Sequence, residues 1–164
     1  MNFYSVVFLI IFSLTIIIPV ANAQILNEES NQKSIQVTIS TTGEMHVIHE
    51  IKVLGVPSQI DLIDGIISNL SVKDQEGNEL QYGMMGDDNS LMIFPSNKEV
   101  MVEYDLADEL VIKENVWTLD FLYLDNVSFI FPQQVDLIFV DGKPAYLGEK
   151  NGILCHGCQM ILEY

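Results

Sequence analysis

The chain contains no arginine. Its seven lysines (Lys33, Lys52, Lys73, Lys98, Lys113, Lys143 and Lys150) face 23 acidic residues, for a formal net charge of −16. With no basic patch there is no electrostatic footprint for nucleic acid, and the net field opposes contacts to phosphate or to anionic headgroups. The acidity itself suits a soluble exported protein. Long hydrophobic runs are also scarce. Outside the N-terminus, no stretch approaches the ~20 apolar residues that span a bilayer. No G-x-S-x-G, glycine-rich phosphate loop or H-E-x-x-H is present, which removes the local signatures of hydrolase, nucleotide and zincin chemistry. Repeats, low-complexity tracts and interdomain linkers are absent as well.

The one long apolar run lies at the start. Ser5 to Val20 is followed by Ala21-Asn22-Ala23, and an apolar core closed by a small-x-small site has the form of a secretory signal peptide. Met1-Asn2-Phe3-Tyr4 carries no lysine or arginine, so an uncleaved membrane anchor is the alternative. Residues 24–33 are polar and aperiodic and read as a flexible spacer. Residues 34–164 have the length of a single domain.

From Ser34 onward the hydrophobic pattern has period two. Ile35, Val37 and Ile39 alternate with polar residues, Thr41-Thr42-Gly43-Glu44 turns the chain, and Met45, Val47, His49, Ile51 and Val53 return, which predicts a hairpin. In 57–70, Ile60, Leu62, Ile63, Ile66 and Ile67 suit one face of a short helix, against which Gly65 and the β-branched residues argue. Asp74-Gln75-Glu76-Gly77-Asn78 is turn chemistry. Val100, Val102, Tyr104 and Leu106 share one strand face, as do Trp117, Leu119, Phe121 and Tyr123. Nine to eleven short strands with turns every 8–12 residues and no firm helix predict an antiparallel β-sandwich.

The residues that bear chemistry converge on Cys155-His156-Gly157-Cys158, the only cysteines, with Met160 two positions on. In an oxidising compartment such a pair defaults to a disulfide. If 152–155 and 158–164 pair as a hairpin, His156-Gly157 is its two-residue turn and the cysteines are a directly opposed pair. Two alternatives stand beside the staple. Paired thiolates with His156 or Met160 suit Cu(I), and a reduced dithiol would be redox-active. A thioredoxin arrangement requires a helix after the motif, where this chain reads as strand.

Other candidates are weaker. His46 and His49, three apart on one strand, point to opposite faces, and His49 falls in register with core positions. Asp87-Asp88-Asn89, Asp61 with Asp64, and Asp105 with Asp108 offer oxygens to calcium but match no EF-hand loop. A carboxylate pair for glycoside cleavage leaves no local signature. Asn69-Leu70-Ser71 and Asn126-Val127-Ser128 are N-glycosylation sequons.

Trp117-Thr118-Leu119-Asp120-Phe121, Phe131-Pro132, Val140-Asp141-Gly142-Lys143-Pro144 and the closing Glu163-Tyr164, taken with the leader and the arginine-free acidic body, resemble uncharacterised exported β-sandwich domains of ammonia-oxidising archaea. The resemblance covers roughly residues 34 to 164 and implies an extracytoplasmic envelope location, often beside an anchor or further domain, with no activity and no catalytic residues. The expectation is therefore a non-catalytic module with an interaction or structural role and an unidentified protein or envelope partner. Membrane contact is expected only through the N-terminal segment, if that segment is uncleaved. A copper-binding or redox accessory protein is the first alternative and a carbohydrate-active protein the second.

Overall fold

The computed structural model describes residues 31–163 apart from Asp87, Asp88, Asp108, Leu124 and Glu149. The expected leader and most of the spacer lie outside that range. The described chain is all-β. Fourteen strands run in the order β1 (Gln32–Ile39), β2 (Met45–Ile51), β3 (Ser58–Asp61), β4 (Ile66–Asp74), β5 (Tyr82–Met85), β6 (Ser90–Ile93), β7 (Val100–Ala107), β8 (Leu110–Lys113), β9 (Val116–Phe121), β10 (Val127–Ile130), β11 (Asp136–Val140), β12 (Ala145–Tyr146), β13 (Gly152–Cys155) and β14 (Cys158–Glu163).

They form three sheets. The large one has the order β12-β13-β10-β1-β2-β7-β4, the second β11-β14-β9-β8, and the smallest β3-β6-β5. All pairings are antiparallel except β1 with β10, where Val37 lies beside Phe129 in parallel. Alternation explains the stacking. Ile35, Val37, Met45, Val47, Val102, Tyr104 and Phe129 project inward from the large sheet, and Trp117, Leu119, Met160 and Leu162 from the second, into one buried cluster. Phe121 on β9 meets Phe129 on β10 edge-on, ring centroids 4.9 Å apart, a favoured aromatic geometry that joins the two layers. Ile60, Leu91 and Ile93 of the smallest sheet belong to the same cluster.

Several expectations change here. Strand β1 begins at Gln32, inside the segment read as spacer. The 57–70 region folds as β3 and the start of β4 rather than a helix. Gly65 between them takes φ +137°, which a β-branched residue would not tolerate. The predicted turn after β4 is present: Asp74 Oδ1 accepts the Glu76 and Asn78 backbone N–H groups at 2.9 Å each. These bonds, first those from Asn78, with Lys98 nearby, hold the Asp74 carboxyl below its ordinary pKa.

The cysteine motif is also placed differently. Strand β13 bonds to β10 and β12, whereas β14 bonds to β9 and β11. Residues 155–158 are therefore a corner at which the chain leaves one sheet for the other, not a β-hairpin. Ile153 and Cys155 face the core from one layer and Cys158, Met160 and Leu162 face it from the other. Gly157, at φ +58°, supplies the left-handed backbone of the corner.

Candidate functional site

The most developed polar constellation runs from the core to an open cleft, and it starts at His49. This side chain on β2 has no exposure, because period two places it among Val47 and Ile51 on the inward face. A buried imidazole must satisfy both nitrogens. His49 Nδ1 lies 2.7 Å from Gln32 Oε1 and Nε2 lies 2.9 Å from the Tyr104 hydroxyl. The Ile63 backbone N–H donates to that same hydroxyl at 2.9 Å, so the Tyr104 proton is directed at Nε2 and the His49 proton resides on Nδ1. Gln32 Nε2 then donates to the Tyr123 hydroxyl at 3.0 Å, and Tyr123 donates to the Asp61 carbonyl oxygen. Every donor in this chain points the same way, from Ile63 to Asp61.

Burial sets the charge state. Desolvation lowers the His49 pKa to about 4, keeping the ring neutral at physiological pH. The same cause pushes the Tyr104 phenol far up and the Tyr123 phenol up to about 12. The relay is thus a network of neutral groups that ties β1, β2 and β7 to the loops after β3 and β9. Its outer end opens into a cleft of about 330 Å³ lined by Gln32, Asp61, Leu62, Asp64, Leu122, Tyr123 and Asp125. Asp61 and Asp64, paired in the sequence as oxygen donors, do share this cleft. The Asp61 carboxylate accepts the Ser90 hydroxyl at 2.8 Å.

The second histidine is unlike the first. His46 stands on the outer face of the same strand, its Nδ1 2.8 Å from Asp105 Oδ1, while Asn69 Nδ2 donates to Asp105 Oδ2 at 2.7 Å. The hydrogen bonds from Asn69 and then His46 lower the Asp105 pKa. The opposite-face reading of the two histidines therefore holds, and the imidazoles do not converge. Asp105 is committed to side-chain partners, and Asp108 lies outside the described residues, as do Asp87 and Asp88.

Cys155 and Cys158 are joined as a disulfide with Cα atoms 6.3 Å apart, within the ordinary range for such bonds. Both are buried, His156 is exposed and Met160 is fully buried in the core. An oxidised pair offers no thiolate to Cu(I). Among the described residues no group of three or more His, Cys, Asp or Glu is arranged to hold a metal ion. Of the sequons, Asn126 is exposed, whereas Asn69 sits at φ +55° with its amide bound to Asp105.

Sequence reasoning assigned Gln32 to the spacer and so missed the residue that links His49 to Tyr123. The available signal was His49 and Tyr104, polar groups at core positions of two strands, which had to find partners.

The sequence matches no family profile and no curated relative. Among solved structures it is similar to an aminopeptidase N family protein from Idiomarina loihiensis, with a TM-score of 0.58 at 10% identity, over 79% of this chain and 29% of that one. The chain thus spans under a third of the length of that protein, and the likeness is one of β-fold alone.

Proposed function

We propose that the protein is a non-catalytic, extracytoplasmic β-sandwich module with an interaction or structural role at the cell envelope. The observation that carries this reading is the Cys155–Cys158 disulfide at the corner between two sheets. Disulfides persist in oxidising compartments, in keeping with the signal-peptide form of residues 1–23. The polar interior supports a structural use of its chemistry. Both nitrogens of His49 are bonded within the protein and its pKa is lowered to about 4, so the ring is a poor base and a poor ligand. The aminopeptidase N family is that of the structural neighbour, and a shared fold at such low identity carries no activity to this chain.

Cell fractionation combined with thiol titration of the denatured, unreduced protein tests the reading. The expected result is protein outside the cytoplasm with no free thiol. Cytoplasmic protein with two reactive thiols would overturn it. Stoichiometric Cu(I) binding that disappears in the Cys155→Ser, Cys158→Ser double variant would replace it with the copper-binding alternative.

A further inference from the structure

The outer face of the four-stranded sheet carries a row that folding of the described chain does not use. Strand register sets Phe139 of β11 beside Ile161 of β14, Ile161 beside Thr118 of β9, and Thr118 beside Val111 of β8. At strand spacings of about 4.8 Å this row crosses the whole sheet in about 14 Å. Its ends are open, Phe139 being 49% and Val111 65% exposed. Val116, one pair along β9, is also exposed and widens the strip. Other exposed apolar residues, such as Val56, Ile66 and Phe94, lie on separate segments and form no row across a sheet, Ile66 having Ala107 beside it at the edge of the large one.

Charge selects what covers this strip. On one side the next row is Asp136, Glu163, Val116 and Lys113, and on the other Gln159 pairs with Asp120. Three carboxylates and one ammonium therefore flank the apolar row. A second copy brings the same carboxylates and a further net charge of −16, so copy-on-copy packing sets acid against acid. The residues just before the structure, with Glu28, Glu29 and no cation, share the mismatch. We propose that this face docks a different protein through a short apolar segment flanked by lysine or arginine. Apolar contact in the centre with charge pairing at the rim is the usual anatomy of such interfaces.

The inference rests on the interaction role proposed above and not on cellular location. Its test uses purified oxidised protein and a labelled synthetic peptide with a Val-Phe-Val-Val centre between Lys-Lys pairs. Controls are a glutamate-flanked counterpart and a shuffled peptide of identical composition. Fluorescence anisotropy is expected to show binding of the lysine-flanked peptide that weakens with salt, at least about tenfold tighter than either control. Phe139→Ser and Ile161→Thr should each lower that affinity by about tenfold or more, while Glu50→Gln on the other sheet should leave it within about twofold. Methyl chemical-shift changes in the unmodified protein should fall on Val111, Val116 and Ile161, which guards against a variant that misfolds.

Equal binding of the shuffled peptide, or shifts elsewhere on the surface, would overturn the proposal. So would a dimer dissociated by Phe139→Ser, or Phe139-dependent binding to phosphatidylcholine vesicles in place of the peptide. None of these outcomes alters the thiol and fractionation result, so the two readings fail separately.

Discussion

The two main sheets share an interior and differ outside. On the large sheet the outward positions include Ser34, Gln36 and Thr38 of β1, His46 and Glu50 of β2, and Glu103 and Asp105 of β7. In the central strands the apolar exceptions are separated in the cross-strand rows, Ile48 between Gln36 and Glu103 and Met101 between Glu50 and Lys73. The outward apolar pairs, Ile66 with Ala107 and Leu154 with Ala145, stand at the two opposite edges of the sheet. Bonds such as Ser34 Oγ to Glu50 at 2.9 Å and His46 to Asp105 at 2.8 Å finish that surface. The second sheet instead sets Phe139 beside Ile161, with Val111 beyond Thr118 in the same row, so that the strip reaches from edge to edge. Inward alternation is as strict in β9 and β14 as in β1, β2 and β7, so the demands of the core do not explain the difference. A sheet with one solvated side needs only one apolar face, and the central strands of the large sheet meet that rule. The smaller one departs from it on the side away from the core, which is why its outer face reads as a binding surface.

The sharpest way to break this comparison is to set an inward phenylalanine against an outward one. Phe129 is 1% exposed and packs edge-on against Phe121. Phe129→Ala should cost about 3–5 kcal/mol in urea denaturation, because transfer free energy and a cavity are lost together. Phe139→Ser should cost about 1 kcal/mol or less. A Phe139 penalty approaching that of Phe129 would mean that the outer row is folding core and is not free to dock a partner.

A second test concerns the two histidines of β2, one on each face. His49 has its folded pKa depressed from 6.5 to about 4, so between these values the unfolded chain binds the extra proton. The contribution of the neutral ring to stability is complete above about pH 6.5. It falls as the pH drops, and levels off once the pH is below about 4. The total is about 3 kcal/mol. Carboxylates titrate at the lower end of this window, so the measurement is a difference. Unfolding free energies of the native chain and of His49→Gln, compared from pH 7.5 to 4.5, should converge as the pH falls. Parallel curves would show that His49 is not held neutral in the interior.

Which residues point inward was legible along the strands themselves, although the run that predicted β2 extended to Val53, which lies past the end of the strand and is exposed. Met45, Val47, His49 and Ile51 on β2, and Trp117, Leu119 and Phe121 on β9, are all buried as the pattern implied. Two short edge strands, β8 and β12, escaped notice because four residues and two residues carry too little periodicity. Pairing partners were not legible either, since alternation reports the face of a strand and not its neighbour. That is why Cys155 and Cys158 were expected across one hairpin and instead join two sheets. The candidate site suffered the same limit. His49 was recognisable as a hydrogen-bonded core position, but Gln32 reaches it across the β1–β2 pairing from a stretch with no pattern of its own.

The smallest expected effect probes the solvated face itself. Ser71 follows the irregularity between Ser68 and Ser71 in β4 and pairs with Glu103 of β7. Its hydroxyl is buried and has no hydrogen-bond partner among the described residues. A polar atom in that state has lost water without gaining a bond. Ser71→Ala removes the atom and little volume, so stability should be unchanged or rise by up to about 1 kcal/mol, read from the shift in urea midpoint at constant slope. The substitution also erases the Asn69-Leu70-Ser71 sequon, so a mass in the native host lower by no more than the one oxygen lost would show that Asn69 carries no glycan. A loss greater than about 1 kcal/mol would mean that the Ser71 hydroxyl is bonded in solution. The outer face of the large sheet would then be specified by a polar network rather than by solvation alone, and its contrast with the Phe139 row would be one of two organised surfaces.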